Sequence, residues 1–200
     1  MIKARACAGD PRVAADFAAG IAPFIWRRSL DFAAIADIQS IKRQIHAHVG
    51  HGEIAVAGHN IKLGRGGIRE IESFAQTQQL TLGGRNRALR EPRTVAALAA
   101  LASEGVVTAA AKEDLGAAYR FLRTLEHRLQ MVGDEQTHTL PKDADRLALM
   151  ACFMGFDSAE AFAAALTQTL QTVQGPYAHL FESAPERSSI SDRPCRTSSC

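Results

Sequence analysis

Nowhere in these 200 residues does an uninterrupted apolar run approach the about 20 residues that a membrane-spanning helix needs. The first residues also lack the apolar segment and cleavage site of a secretory signal. Together these absences predict a cytoplasmic protein with no membrane partner. Strictly alternating apolar and polar runs are missing too, apart from a weak candidate from Glu53 to Ala57, and β-branched clusters are few, which argues against a large sheet. Cysteine is scarce. Cys7, Cys152, Cys195 and Cys200 show none of the paired short spacings of zinc ligands, so reduced thiols are expected. Cys152, beside Phe153 and Met154, is predicted to lie in the core, and Cys195 and Cys200 in a disordered tail. A net charge of +2 and a pI near 8.4 are too mild to imply nucleic acid.

What is present is a 46% apolar, alanine-rich composition, long enough for one sizeable core. Alanine favours helix, and the chain reads as an all-α helical bundle. Periodicity predicts helices over 14–28 and 31–48, the second with Ile38, Ile41, Ile45 and Val49 on one stripe. Another opens at a glycine cluster and runs to Leu82, and a further one spans 93–103, ended by Gly105. The longest, over 112–132, sets Leu115, Ala118, Tyr119, Leu122, Leu125, Leu129 and Val132 along a bundle-core stripe. Helices are also expected over 143–154 and 159–174, the latter capped by Ser158 with Glu160 in its first turn and broken by Gly175-Pro176. His46, His48 and His51 cluster without helical i, i+4 pairing or an acidic partner in register, and read as surface histidines rather than metal ligands.

The densest chemistry lies from Asn60 to Leu80. Gly64, Gly66 and Gly67 allow positive φ and close backbone approach, and a helical pattern starts at Ile68. Such a turn can offer amide hydrogens to a phosphate. It is not a Walker loop, which ends in Gly-Lys-Ser/Thr, and no strand-like run precedes it as a dinucleotide fingerprint requires. Ile68, Ile71 and Ala75 form one stripe, while Arg69, Glu72, Gln76 and Gln79 form another. The second stripe suits either a polar cleft or a solvated face with a local Arg69–Glu72 ion pair. From Lys62 to Arg93 seven basic residues accompany three acidic ones, enough to attract an anionic nucleotide or an acidic protein surface, or simply a solvated loop over 85–93. No aromatics interleave with this patch to stack bases. The one Asp-x-Asp, Asp143-Ala144-Asp145, follows Pro141-Lys142 at a predicted helix start, where capping explains it better than metal binding.

The glycine motif, Lys62-Leu63-Gly64-Arg65-Gly66-Gly67-Ile68-Arg69-Glu70-Ile71-Glu72, does not stand alone. Pro23-Phe24-Ile25-Trp26-Arg27-Arg28 precedes it. Gly83-Gly84-Arg85, Ala88-Leu89-Arg90, Ala118-Tyr119-Arg120-Phe121-Leu122-Arg123, Glu126-His127-Arg128-Leu129-Gln130 and Asp134-Glu135-Gln136-Thr137-His138-Thr139-Leu140-Pro141 follow in order. In these blocks residues 2–185 resemble the helical part of the bifunctional glutamine-synthetase adenylyltransferase/adenylyl-removing enzymes, specifically of the half that removes AMP. Ser73 departs from the aromatic or aliphatic residue usual before Phe74. PII-uridylyltransferases share the domain type but match these blocks less well.

The resemblance implies linker helices over 1–59 joining a nucleotidyltransferase sheet, a helical bundle over 60–182 and a divergent disordered tail over 183–200. It implies a companion domain to a nucleotidyltransferase fold whose sheet, with its metal-binding Asp-x-Asp, is missing from this chain. The chain thus reads as a piece of an enzyme, inactive alone and carrying no catalytic or metal residue of its own. The implied reaction regulates nitrogen assimilation through reversible adenylylation of a glutamine synthetase tyrosine, with magnesium and nucleotide or phosphate as cofactors of the intact enzyme. Implied partners are glutamine synthetase, the PII signal protein and the missing domains of the parent chain, with no nucleic acid. By position, Lys62, Arg65, Gly66, Gly67, Arg69 and Glu72 are candidates for phosphate or protein-substrate contacts, Glu72 orienting a basic partner. The alternative is a noncatalytic binding module for glutamine synthetase or the PII protein.

Overall fold

A computed structural model describes residues 2–28, 40 and 54–182, with the backbone alone from 176 to 182. Six described α-helices follow one another: α1 (Pro11–Ile25), α2 (Ile68–Leu82), α3 (Thr94–Ser103), α4 (Ala109–Gly133), α5 (Ala144–Met154) and α6 (Ala159–Glu182), with a 3-10 turn at Arg87–Leu89. No strand occurs among the described residues. Residues 54–57 of the weak strand candidate carry none, and the only described β-pairing is an isolated antiparallel bridge between Asn60 and Thr139. The chain is an all-α bundle. The predicted helix over 31–48 apart from residue 40, the histidines at 46, 48 and 51, Glu53, and the tail over 183–200 with Cys195 and Cys200 lie outside the described residues.

Local chemistry sets the helix ends. Asp10 caps α1 by accepting from the Arg12 amide at 2.8 Å, with Pro11 in the first turn, so this helix starts three residues earlier than periodicity alone suggests. Thr108 caps α4 through the Ala111 amide and Ser158 caps α6 through the Ala161 amide, each at 3.1 Å. Asp143 caps α5 by accepting from the Arg146 amide at 3.0 Å, which accounts for the Asp-x-Asp.

The core is one cluster fed by every helix except α1, which buries no residue. Ile68, Ile71, Phe74 and Ala75 of α2 meet Leu98 and Leu101 of α3, Leu115, Leu122 and Leu125 of α4, and Phe162, Leu166, Leu170 and Val173 of α6. Helix α4 runs through the middle, packed on α2, α3, α5 and α6. Phe156 meets Phe121 and Phe162 edge-on, with centroids 6.3 and 5.6 Å away.

Three expectations are corrected. Val132 does not continue the α4 stripe; it is 69% exposed in the final turn, beyond the reach of neighbouring helices. Cys152 is exposed rather than in the core. Helix α5 is covered on one side only, along Leu147, Met150, Ala151 and Met154, and Cys152 and Phe153 fall on the other side. Finally, α6 does not stop at Gly175-Pro176 but runs on to Glu182. Gly175 has no Cβ for the Pro176 ring to meet, which removes one of the conflicts by which proline ends a helix.

Candidate functional site

The glycine motif folds onto its own chain. Gly66 has φ +75°, and a Cβ there would sit 2.7 Å from Leu170 Cα and 2.8 Å from Leu170 C, as well as against that residue's carbonyl oxygen. The turn therefore lies flush on the backbone of α6. Its glycine amides are occupied. Gly64 donates to Asn60 O at 2.7 Å, Gly66 to the buried Glu70 Oε2 at 3.0 Å and Gly67 to Gly64 O at 3.0 Å. Ile68 and Arg69 donate to Ile61 O and Lys62 O, both at 3.0 Å. Gly66 and Gly67 thus shape the start of α2, and their N–H groups are spent within the fold.

The second stripe of α2 divides by depth. Arg69 is exposed and pairs with Glu72 Oε2 at 3.2 Å. Glu72 also accepts from Lys3 Nζ at 3.0 Å and from Tyr119 Oη at 3.3 Å, and Lys3 donates to Thr94 Oγ1 at 3.1 Å. The basic groups that Glu72 orients are therefore the chain's own Arg69 and Lys3. Gln79 is buried, its amide donating to Leu89 O at 2.6 Å and Glu91 O at 2.7 Å, so it pins the following loop instead of facing a cleft. In that loop Arg93 pairs with Glu91 at 2.9 Å, and this guanidinium holds the Glu91 carboxyl below its ordinary pKa. Arg90 lies over the Trp26 ring at 5.4 Å and donates to Gly83 O at 2.7 Å, while Arg85 reaches Arg28 O at 3.0 Å. A Cβ on Gly84 would overlap Arg27 O. The segment 26–28 is thus seated on the Gly83-Gly84 turn, uniting two blocks far apart in sequence. Arg65, exposed beside Arg69, has no ion pair among the described residues.

Lys62 points elsewhere. Its ammonium lies 3.3 Å from Glu126 Oε1 and 3.3 Å from His138 Nε2. His138 Nδ1 is 3.1 Å from the same Glu126 oxygen, and Arg123 pairs with Glu126 Oε2 while its other terminal nitrogen meets His127 Nε2 at 3.1 Å. Gln130 Nε2 also lies 3.5 Å from His138 Nδ1, so which ring nitrogen donates and which accepts depends on the tautomer of His138. Glu126 is 2% exposed; Lys62, Arg123 and His138 reach solvent. The 58–64 loop is held against 138–141 by Ile61 N to His138 O and Leu140 N to His59 O, both 2.9 Å. Beneath the turn, burial pushes the His59 imidazole below its ordinary pKa, opposed in part by a backbone hydrogen bond with Arg65.

Sequence reasoning assigned no role to Arg123, Glu126, His127 or His138. One signal was legible: Glu126 is a carboxylate among the buried positions Leu122, Leu125 and Leu129, a place where a charge is kept only with partners. Magnesium asks for converging carboxylates, but Asp143 is spent on a cap, and among the described residues no three His, Cys, Asp or Glu side chains are placed to hold a metal ion. The described residues do not supply its ligand set. No single described helix is long and apolar enough to cross a membrane.

Curated relatives share far more than one motif. The chain is 57% identical over 182 residues to the bifunctional glutamine synthetase adenylyltransferase/adenylyl-removing enzyme of Bradyrhizobium diazoefficiens, covering 91% of this chain and 18% of that protein. It is 57% identical over 188 residues to the same-named enzyme of Mesorhizobium japonicum, covering 94% and 19%. The Brucella melitensis enzyme of that name is 54% identical over 186 residues, covering 93% and 19%. The chain thus spans less than a fifth of the length of these relatives. The sequence model of the GlnD PII-uridylyltransferase family matches residues 38–181, a stretch that holds the glycine motif, the Glu126 network and all helices from α2 to near the end of α6, and the chain belongs to that family.

Proposed function

We propose that this chain is a segment of a cytoplasmic glutamine-synthetase adenylyltransferase/adenylyl-removing enzyme, where it supports phosphorolytic removal of AMP from glutamine synthetase. The observation that carries the reading is identity of 54–57% to such enzymes across more than nine-tenths of the chain. In this reading the bundle is the companion of a nucleotidyltransferase sheet, and that sheet holds the magnesium. The segment's own contribution is positioning. Exposed Arg65 and Arg69 meet the anionic nucleotide or the protein substrate, on a turn that α6 holds rigid from behind. Arg69 is oriented by Glu72, and a guanidinium so held loses less freedom on engaging a phosphate or carboxylate.

The test places this segment in the Bradyrhizobium diazoefficiens enzyme in exchange for its matching stretch and measures AMP release from adenylylated glutamine synthetase. The chimera is expected to remove AMP, and R65E/R69E to slow removal about 10- to 100-fold, the loss of one or two charge-assisted hydrogen bonds. Removal at an unchanged rate in R65E/R69E would defeat the proposal. A second reading, a noncatalytic module that docks on glutamine synthetase or the PII signal protein, is favoured by Arg65, which is exposed and has no ion pair among the described residues. It requires the 200-residue chain to bind one of them in a manner lost on R65E.

A further inference from the structure

A buried carboxylate with three basic neighbours is a poor way to stabilise a bundle, because desolvating the charges costs several kcal/mol that apolar side chains of the same volume would not. Glu126 nevertheless occupies a core position of α4 and gathers Lys62 from the glycine motif, Arg123 from its own helix and His138 from the segment before α5. Its single negative charge faces two permanent cations, so the cluster carries surplus positive charge.

The donors are not exhausted. Lys62 pairs with Glu126 by charge and directs its one side-chain hydrogen-bond contact at His138, so its ammonium keeps N–H donors to spare. Arg123 gives one N–H to Glu126 and directs another to His127, and the rest of its guanidinium has no acceptor among the described residues. The heads stay reachable: the side chains of Lys62, Arg123 and His138 are 29%, 38% and 20% exposed, and His127 is exposed beside them. Two cations fixed on opposite oxygens of one buried carboxylate, with spare N–H groups toward solvent, are preorganised for an acceptor that brings several oxygens and a negative charge.

We infer that Lys62 and Arg123, anchored by buried Glu126 and flanked by His127 and His138, bind a tetrahedral oxyanion of the phosphate class. Glu126 does not touch the anion; it is the positioning residue that keeps both cations at the surface of the bundle. The site is separate from Arg65 and Arg69, to which the proposed function assigns substrate contact, so it stands or falls without the parent enzyme's activity. The anion is either free orthophosphate or the phosphate of a nucleotide.

The experiment titrates inorganic phosphate into the 200-residue chain and follows the imidazole proton resonances of His127 and His138 by NMR, with AMP in a parallel arm. A saturable shift of both histidines is expected. R123M and K62M are each expected to weaken binding about tenfold or more, K62R to retain it, and R146M, a cation on α5, to leave it unchanged. Tighter saturation by AMP with displacement of orthophosphate identifies a nucleotide phosphate as the occupant; saturation by orthophosphate alone identifies the free anion. Far-UV circular dichroism checks that each variant keeps its helices, and if R123M loses them K62M against K62R gives the same reading. Shifts that grow linearly with phosphate show solvated cations only and overturn the site, as does a folded R123M with unaltered affinity.

Discussion

Replacing Gly66 with alanine should be far more damaging than one added methyl suggests. The residue sits at φ +75°, where an L side chain costs about 1–2 kcal/mol, and its Cβ would be driven into the backbone of Leu170, with Cα 2.7 Å and C 2.8 Å away. Neither partner yields easily, because Leu170 is a fully buried residue in the middle of α6 and the turn is tied down by its own amides. Overpacking of this kind costs about 1–3 kcal/mol, for a total of about 2–5 kcal/mol. Gly105 is the internal control. It has φ +70° with nothing within 4 Å of its Cβ, so G105A pays the conformational part alone. Urea unfolding followed by circular dichroism, with a slope of about 2 kcal/mol per molar, should lower the midpoint by about 1–2.5 M in G66A and by about 0.5–1 M in G105A. Equal shifts in the two variants would refute the close seating of the glycine turn on α6, since both sites share the left-handed backbone and only at Gly66 would the new Cβ meet α6.

Gln79→Ala leaves Leu89 O and Glu91 O without their donor and should destabilise the protein by about 2–4 kcal/mol in the same urea assay; a loss under about 0.5 kcal/mol would mean the loop does not depend on this bridge. His59 supplies a pH test. Burial lowers its pKa in the folded state from the ordinary 6.5, so the unfolded chain takes up the proton first, and stability falls as the pH drops below about 6.5. The carboxylates held low, at Glu91, Glu113 and Glu160, act only as the pH approaches and passes below 4.5, which separates the two effects. His59→Gln should therefore flatten the decline in urea midpoint between pH 7.5 and pH 5.5, and an unchanged slope would show that His59 is not the group being desolvated.

The helices were legible in the sequence because their buried faces repeat with the helical period. Leu115, Leu122, Leu125 and Leu129 announce α4, and Ile68, Ile71 and Ala75 announce α2. Composition without phase misled at Cys152, whose apolar neighbours say nothing about which side of α5 is covered. Local punctuation misled at Gly175-Pro176, where the helix runs through and the glycine removes one of the conflicts by which proline ends a helix. The candidate site was half visible. Charge and glycine content drew attention to Lys62, Arg65 and Arg69, but the acceptors that occupy the turn's amides and the Glu126 side chain that fixes Lys62 come from contacts across the fold. Pairings of that kind leave no periodic trace, and only the oddity of a carboxylate on an apolar stripe hinted at one.

Helix α1 behaves as a strut. At 15 residues it is about 22 Å long, it buries none of its side chains, and Val13, Phe17 and Phe24 stand largely in solvent. Its bearings lie beyond its ends: Lys3 is tied to Glu72 and Thr94 on one side, and Trp26 to Arg28 rest on the Gly83-Gly84 turn on the other. A rod held at two points has a fixed direction; released at one, it pivots on the other. With the Lys3 tie cut, a tilt of roughly 10° about the Trp26 bearing would swing the far end of a rod this long by roughly 4 Å. Among the described residues, one surface lysine thus ties down a helix it does not belong to, and the load on that tie is leverage, not burial.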